Sequence, residues 1–207
     1  MVQKNKKIGS IIAGPCAIEG RSQFYNTVEN IYNYIDIIRA GIWKGRTSPN
    51  NYPGAGDKGL PWLQDVQSKY QIPIAVEIGT PKHIELALKY DIRIFWLGAR
   101  TTVNPFAVQE IAESMRGLDV ELWIKNPIIA DLKLWTGAIE RFTRIGLENI
   151  KTIHRGFYCE QPIIYRNNPK WEFLEEFRKI YPEMTIICDP SHIAGHKKYI
   201  YQIAKKA

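Results

Sequence analysis

Short apolar, β-branched runs separated by stretches of helical periodicity limit the fold of this chain more than any other feature. The runs occupy residues 9–13, 36–43, 72–78, 92–97, 120–124, 149–154 and 184–188. They are nearly continuous in apolar side chains, as expected of strands buried on both faces. Between them, residues 24–35 place apolar side chains at Phe24, Val28, Ile31, Tyr32 and Ile35. Residues 80–90 open with Thr80 and Pro81, residues 104–115 with Asn104 and Pro105, and residues 168–181 with Asn168 and Pro169. Each pair reads as an N-cap followed by proline in the first helical position. Residues 131–142 give one more helix. Strand alternating with helix predicts an α/β protein with a parallel sheet of βαβ units. Seven units are counted, and a (β/α)8 TIM barrel is the expected closure, an open doubly wound sheet the alternative. No G-x-G-x-x-G follows the first strand, which weighs against dinucleotide binding.

The length of 207 residues favours one domain, taken as 1–207. The net charge of +7 is compatible with nucleic acid, a membrane surface or small anions. Its cations are scattered, apart from Lys4, Lys6 and Lys7 at the start and Lys205 and Lys206 at the end. No basic recognition helix emerges, so a nucleic-acid partner is not expected. Three widely spaced cysteines, Cys16, Cys159 and Cys188, suit a reducing cytoplasm better than a disulfide framework. No apolar run approaches the ~20 residues of a spanning helix. The apolar start is broken at Gly14-Pro15 and lacks the cleavage pattern of an export signal.

In a parallel barrel, chemistry gathers where strands end. Cys16 follows the first run. Arg39 lies within the second, and Lys44, Arg46, Thr47 and Ser48 follow it. Glu77 closes the third, Arg100 follows the fourth, Lys125 the fifth, Arg155 the sixth, and Asp189 and His192 the seventh. Any one of these, taken singly, reads better as a solvated loop group. Together, six cations at one rim repel one another unless an anion neutralises them, and planar guanidinium forks suit phosphate and carboxylate. Cys16 and His192 are soft or borderline ligands that suggest a divalent transition metal, with Glu77 and Asp189 as available carboxylates. Residues 50–59, rich in glycine and proline, read as a segment covering substrate or as a plain connector. Cys188 is assigned to the core and Cys159 to a loop without a role.

The motifs AGPC, KGRTSP, GAR, KNP, HRGF and DPSHIAG, in this order, resemble the 3-deoxy-7-phosphoheptulonate synthases of the short-barrel type, found alone or fused to a chorismate mutase. The resemblance implies condensation of phosphoenolpyruvate with erythrose 4-phosphate, the first step of the shikimate pathway. It implies Cys16 and His192 as ligands of a divalent metal (manganese, iron, cobalt or zinc). Arg39, Lys44, Arg100, Lys125 and Arg155 would hold phosphoenolpyruvate. Arg46, Thr47, Ser48 and Asp189 would receive the aldose phosphate. Lys125 is the acid/base candidate, Glu77 a weaker candidate for placing water, and His192 joins them as a catalytic residue through the metal. A homo-oligomer and a chorismate mutase domain or partner are also implied.

Two departures stand against the family pattern. Gly45 replaces the proline of Lys-Pro-Arg-Thr, which loosens that loop. The eighth β/α unit, which in the family completes the metal site with a glutamate and an aspartate, has no counterpart here. A barrel short of a strand exposes two sheet edges and invites association. A longer native chain, completion by another chain, or a non-catalytic anion-binding relative would each account for the gap. The sister family, 3-deoxy-octulosonate 8-phosphate synthase, is a further alternative, disfavoured by Arg46-Thr47-Ser48-Pro49 where that family has an Asn-Arg-Ser-Ser type segment.

Overall fold

The structure, a computed structural model, describes residues 9–161 and 164–207. The basic start at Lys4, Lys6 and Lys7 lies outside the described residues. Two compact units are present, one of Met1–Ile78 and Lys82–Ile94, the other of Gly79–Pro81 and Phe95–Ala207. All seven expected strands form, and within each unit their order in the sheet is their order along the chain.

In the first unit, β1 (Ile12–Ala13), β2 (Ile37–Ala40) and β3 (Ile74–Ile78) are linked by α1 (Arg21–Ile31) and α2 (Leu60–Tyr70), and α3 (Pro81–Leu88) follows. β1 pairs with β2 in parallel, Ile12 against Ile37, and β2 with β3, Arg39 against Ala75. Phe24 and Val28 of α1 and Leu63 and Val66 of α2 are buried, as are Ile38, Ile42, Ile74 and Val76. Side chains from both helices and from the strands are thus withdrawn from water, which is the main stabilising term for such layers.

In the second unit, β4 (Ile94–Leu97) leads to α4 (Ala99–Thr102) and α5 (Pro105–Ser114). Next come β5 (Glu121–Lys125), α6 (Leu132–Arg144) and β6 (Ile150–His154). A small antiparallel hairpin, β7 (Phe157–Tyr158) and β8 (Asn167–Asn168), precedes α7 (Trp171–Ile180) and β9 (Ile186–Cys188). The chain continues through α8 (Pro190–Ala194) and α9 (Ile200–Lys206). β5 pairs with β6 and β6 with β9, both in parallel, with Lys125 opposite Ile153 and His154 opposite Cys188. Trp123, Trp135, Phe142 and Phe177 are buried here, and Trp135 stacks on Phe177 with centroids 4.3 Å apart.

Local signals explain most element boundaries. Asn104 caps α5 by accepting from the N–H groups of Phe106 and Ala107, and Pro105 follows as the first helical residue. Asp131 caps α6 through the N–H of Leu134. One expectation is corrected: Asn168 does not cap α7. It belongs to β8, its Oδ1 accepts from the N–H of Lys170, and the helix starts only at Trp171 after a left-handed Lys170 (φ 41°). The hairpin pairing claims Asn168 before the helix can.

Candidate active site

The strand ends of the first unit carry one ion pair and a tightly tied loop. Lys44 Nζ lies 2.5 Å from Glu77 Oε2, with side chains only 11% and 19% exposed. Glu77, a candidate carboxylate for metal or water, is therefore committed to Lys44. Glycines set this geometry. A Cβ on Gly41 would collide with the carbonyl of Cys16, and one on Gly14 (φ 148°) with the carbonyl of Arg39. The AGPC segment thus rests directly on the backbone where β2 ends, and Ile18 N–H donates to Gly41 O at 2.9 Å. Residues 50–59 are tied down as well. Lys44 N–H donates to Pro53 O, Gly56 N–H to Ile42 O, and Trp43 Nε1 to Asp57 Oδ1 at 3.0 Å. Trp43 also stacks flat on His83, 4.3 Å between ring centroids. Burial lowers the His83 pKa against the pull of Asp57 and Glu77.

Other expected residues of this unit face their own loop. Arg46 Nε donates to Tyr52 O, Ser48 Oγ accepts from the N–H of Asn50, and Thr47 is exposed. Arg39 is half-buried in β2, and Cys16 is exposed.

In the second unit, Asp189 is the hub. Its Oδ1 caps α8, accepting from the N–H of His192 at 3.2 Å and from Ser191 Oγ at 3.1 Å. Its Oδ2 faces Lys125 Nζ at 3.2 Å and His192 Nδ1 at 2.7 Å. Burial raises the Asp189 pKa, but the bond with His192 and the Lys125 charge outweigh it and hold the carboxyl well below its usual range. For His192, the bond with Asp189 pulls the pKa up. Burial and the charges of Lys125 and Arg155 overcome that pull, leaving it below the ordinary histidine value.

Arg155 leaves β6 with its backbone fixed. Buried Asn126 accepts from Arg155 N–H at 2.7 Å and donates to the carbonyl of Gly156 at 2.9 Å. The Arg155 guanidinium donates to Asn167 Oδ1 at 3.2 Å. Burial lowers the Arg155 pKa, opposed by Asp189 and reinforced by the charges of Arg166 and Arg100. Arg155 is therefore close enough to Arg100 and to Arg166 to be repelled by each, and none of the three forms an ion pair among the described residues. Arg166, Asn126 and Asn167 were not identified from sequence. The signal for Arg166 is its place one residue before the hairpin strand and against Gly195, where a Cβ would strike the Arg166 side chain.

Behind this cluster, His154 is fully buried between Phe157 and Trp171, and burial takes its pKa down to about 4. Burial also pushes the Cys188 thiol up to about 12, and Cys188 packs against Ile193, Ala194 and Ile203. The core assignment of Cys188 agrees with this. None of the cysteines is in a disulfide. Among the described residues there is no group of three or more His, Cys, Asp or Glu side chains placed to hold a metal ion. Among them, too, no helix is long and apolar enough to cross a membrane.

Comparison with known proteins adds a family. The profile described as the DAHP synthetase I family matches residues 4–207. A curated relative, the phospho-2-dehydro-3-deoxyheptonate aldolase of Thermotoga maritima, is 27% identical over an alignment of 206 residues that covers 97% of this chain and 59% of that protein. The crystal structure of phospho-2-dehydro-3-deoxyheptonate aldolase (DAHP synthase) from Thermotoga maritima superposes with a TM-score of 0.81 at 23% identity, covering 96% of this chain and 56% of the other. A truncated form of 3-deoxy-D-arabino-heptulosonate 7-phosphate synthase from the same organism gives 0.77 at 23% identity, over 95% and 69%. The structural likeness establishes the α/β fold, and the chain spans little more than half the length of the curated relative it matches.

Proposed function

This chain belongs to the DAHP synthetase I family, and on that premise we propose that it takes part in the condensation of phosphoenolpyruvate with erythrose 4-phosphate to 3-deoxy-7-phosphoheptulonate and phosphate, the entry to aromatic biosynthesis, in the cytoplasm. The observation that carries the reading is the positive excess in the second unit. Lys125 is paired with Asp189, while Arg155 feels the charges of both Arg100 and Arg166, none of the three in an ion pair among the described residues. Solvent screens the two exposed arginines, so the repulsion is modest, but the excess charge favours an anion.

In this reading residues 1–207 act as one catalytic domain, a (β/α)8-type barrel short of its eighth unit. Arg100, Lys125 and Arg155, with Arg39 and Lys44, bind the phosphate and carboxylate of phosphoenolpyruvate and orient its C3. Arg46, Thr47, Ser48 and Asp189 receive the aldose phosphate. C3 bonds to the aldehyde carbon, a water oxygen bonds to C2, and the bond from C2 to the phosphate oxygen breaks. The two water protons end on the aldehyde-derived hydroxyl and on the departing phosphate. Lys125 is the acid/base group, the arginines stabilise the charge that develops on the leaving phosphate, and Glu77 places the water while paired with Lys44.

The donor chemistry fits a divalent metal. Asp189 lies at Nδ1 of His192, which leaves the opposite ring nitrogen for a ligand, in the carboxylate–histidine pattern of metal sites. Cys16, exposed and outside any disulfide, would be the sulfur donor. Cys16 and His192 would hold manganese, iron, cobalt or zinc, and the metal, when bound, polarises the aldehyde as a Lewis acid. A homo-oligomer, and a chorismate mutase domain or partner, belong to the same reading.

The test is phosphate release from phosphoenolpyruvate and erythrose 4-phosphate with added manganese, an EDTA control, and arabinose 5-phosphate in parallel. Release with the four-carbon substrate alone supports the reading. Release with arabinose 5-phosphate alone assigns the sister reaction, and phosphoenolpyruvate binding without turnover assigns an anion-binding relative.

A further inference from the structure

We propose that Asn167 is a positioning residue that ties the Arg155 guanidinium to the chain segment carrying His192, so that the anion-binding arm and the α8 segment hold one geometry. The roles of Arg155 and His192 rest on the function proposed above; the tie itself rests on geometry. Asn167 is only 6% exposed. Its Oδ1 accepts from Arg155 Nη1 at 3.2 Å, and its Nδ2 donates to the carbonyl of His192 at 2.6 Å. This amide orientation is dictated by its partners. A guanidinium only donates and a carbonyl only accepts, so rotating the amide by half a turn would set donor against donor and acceptor against acceptor.

The surrounding backbone is shaped to bring Asn167 there. Gly156 adopts φ 74°, and a Cβ on it would lie 2.9 Å from the Asn167 Cβ and 3.2 Å from the Asn167 carbonyl. Gly195, at φ 70°, lets the Arg166 side chain pack where its own Cβ would be, and Arg166 N–H donates to Ala194 O. Phe157 pairs with Asn168 and Tyr158 with Asn167 in the hairpin. The hairpin strand is therefore wedged between the turn after β6 and the end of α8. Asn167 is the residue in it whose side chain reaches both.

Replacement by alanine removes both bonds at once, and aspartate keeps the acceptor for Arg155 but loses the donor to His192. Three measurements on the whole chain test the tie: hydrogen exchange of the Arg155 guanidinium by 15N NMR, phosphoenolpyruvate binding by calorimetry, and steady-state kinetics. Asn167→Ala is expected to speed Arg155 exchange and weaken phosphoenolpyruvate binding by about tenfold, the equivalent of a lost bond to a charged group. The Michaelis constant for erythrose 4-phosphate should stay within about twofold. Asn167→Asp should keep Arg155 exchange slow. Gly156→Ala, which displaces Asn167 without removing a polar group, should move exchange and binding in the same direction as alanine at 167. A lower melting temperature with unchanged Arg155 exchange and unchanged phosphoenolpyruvate binding would reduce Asn167 to a packing residue and overturn the proposal. If Asn167→Ala does not fold, Gly156→Ala supplies the same readouts. Exchange is read without turnover. A wild-type chain that releases no phosphate therefore counts against the proposed reaction, while the exchange rates still support or overturn the tie.

Discussion

The two units handle a buried lysine in opposite ways. In the first, Lys44 and Glu77 form a one-to-one pair, and the charge is settled locally. In the second, the carboxylate that pairs with Lys125 is shared: Asp189 also caps α8 and holds the His192 ring, while Arg100 and Arg166 press on Arg155. A closed pair is neutral as it stands. A shared carboxylate beside Arg155, with Arg100 and Arg166 acting on that guanidinium, leaves an excess of positive charge. The contrast is one of charge balance: neutral at the lysine pair of the first unit, in positive excess around Arg155 in the second.

The sharpest way to break this comparison is to remove each carboxylate in turn. Asp189→Ala is expected to lower unfolding free energy by about 4 kcal/mol, because it strands a buried lysine and removes a helix cap. Denaturant midpoints measure it, and a loss equal to that of a Glu77 variant would erase the distinction drawn here. Acid titration comes next. The folded His154 pKa of about 4 lies below its unfolded value near 6.5, so the unfolded chain binds the extra proton. Stability from this group is complete above about pH 6.5 and falls as pH drops towards 4, by a total on the order of 3 kcal/mol. His83 and His192, also lowered, act in the same direction. Asp189, held below the usual carboxylate range, adds its loss only at pH below its unfolded value of about 3.8. His154→Phe should flatten the first part of that acid limb in chemical denaturation at a series of pH values, and an unchanged limb would refute the assignment. Glu77→Gln follows, at about 2 kcal/mol for a lysine left without its charge partner, with phosphoenolpyruvate binding less affected than by Arg155→Ala. The smallest stability effect is expected from Arg166→Ala, below about 0.5 kcal/mol, yet it should weaken inorganic phosphate binding by about threefold at low salt. A phosphate affinity unchanged by that substitution would remove Arg166 from the cluster.

Particular residues show how far the sequence could be read. The seven strands were legible because strands covered on both faces must be apolar at nearly every position, and Asn104-Pro105 announced its helix through local chemistry alone. The exits carrying Lys44, Arg100, Lys125, Arg155 and Asp189 were legible as soon as strand ends were known. The hairpin was not, since β7 and β8 each have two residues and Asn167-Asn168 carries no strand signal. Its pairing is decided by distant glycines, Gly156 and Gly195, whose small size lets a second segment in. For the same reason Asn168-Pro169 looked like a helix start. The pairing of Glu77 with Lys44 was equally hidden, because two polar groups 33 residues apart announce nothing about each other.

Gly41 carries a consequence of a different kind. The atom its missing side chain makes room for is the Cys16 backbone carbonyl, which no rotamer change can clear. At an aliphatic core position such as Ile38, tolerance to substitution should be a slope, graded by volume. At Gly41 it should be a step: alanine fails much as leucine does, and a saturation scan would return a flat line of losses with glycine alone above it.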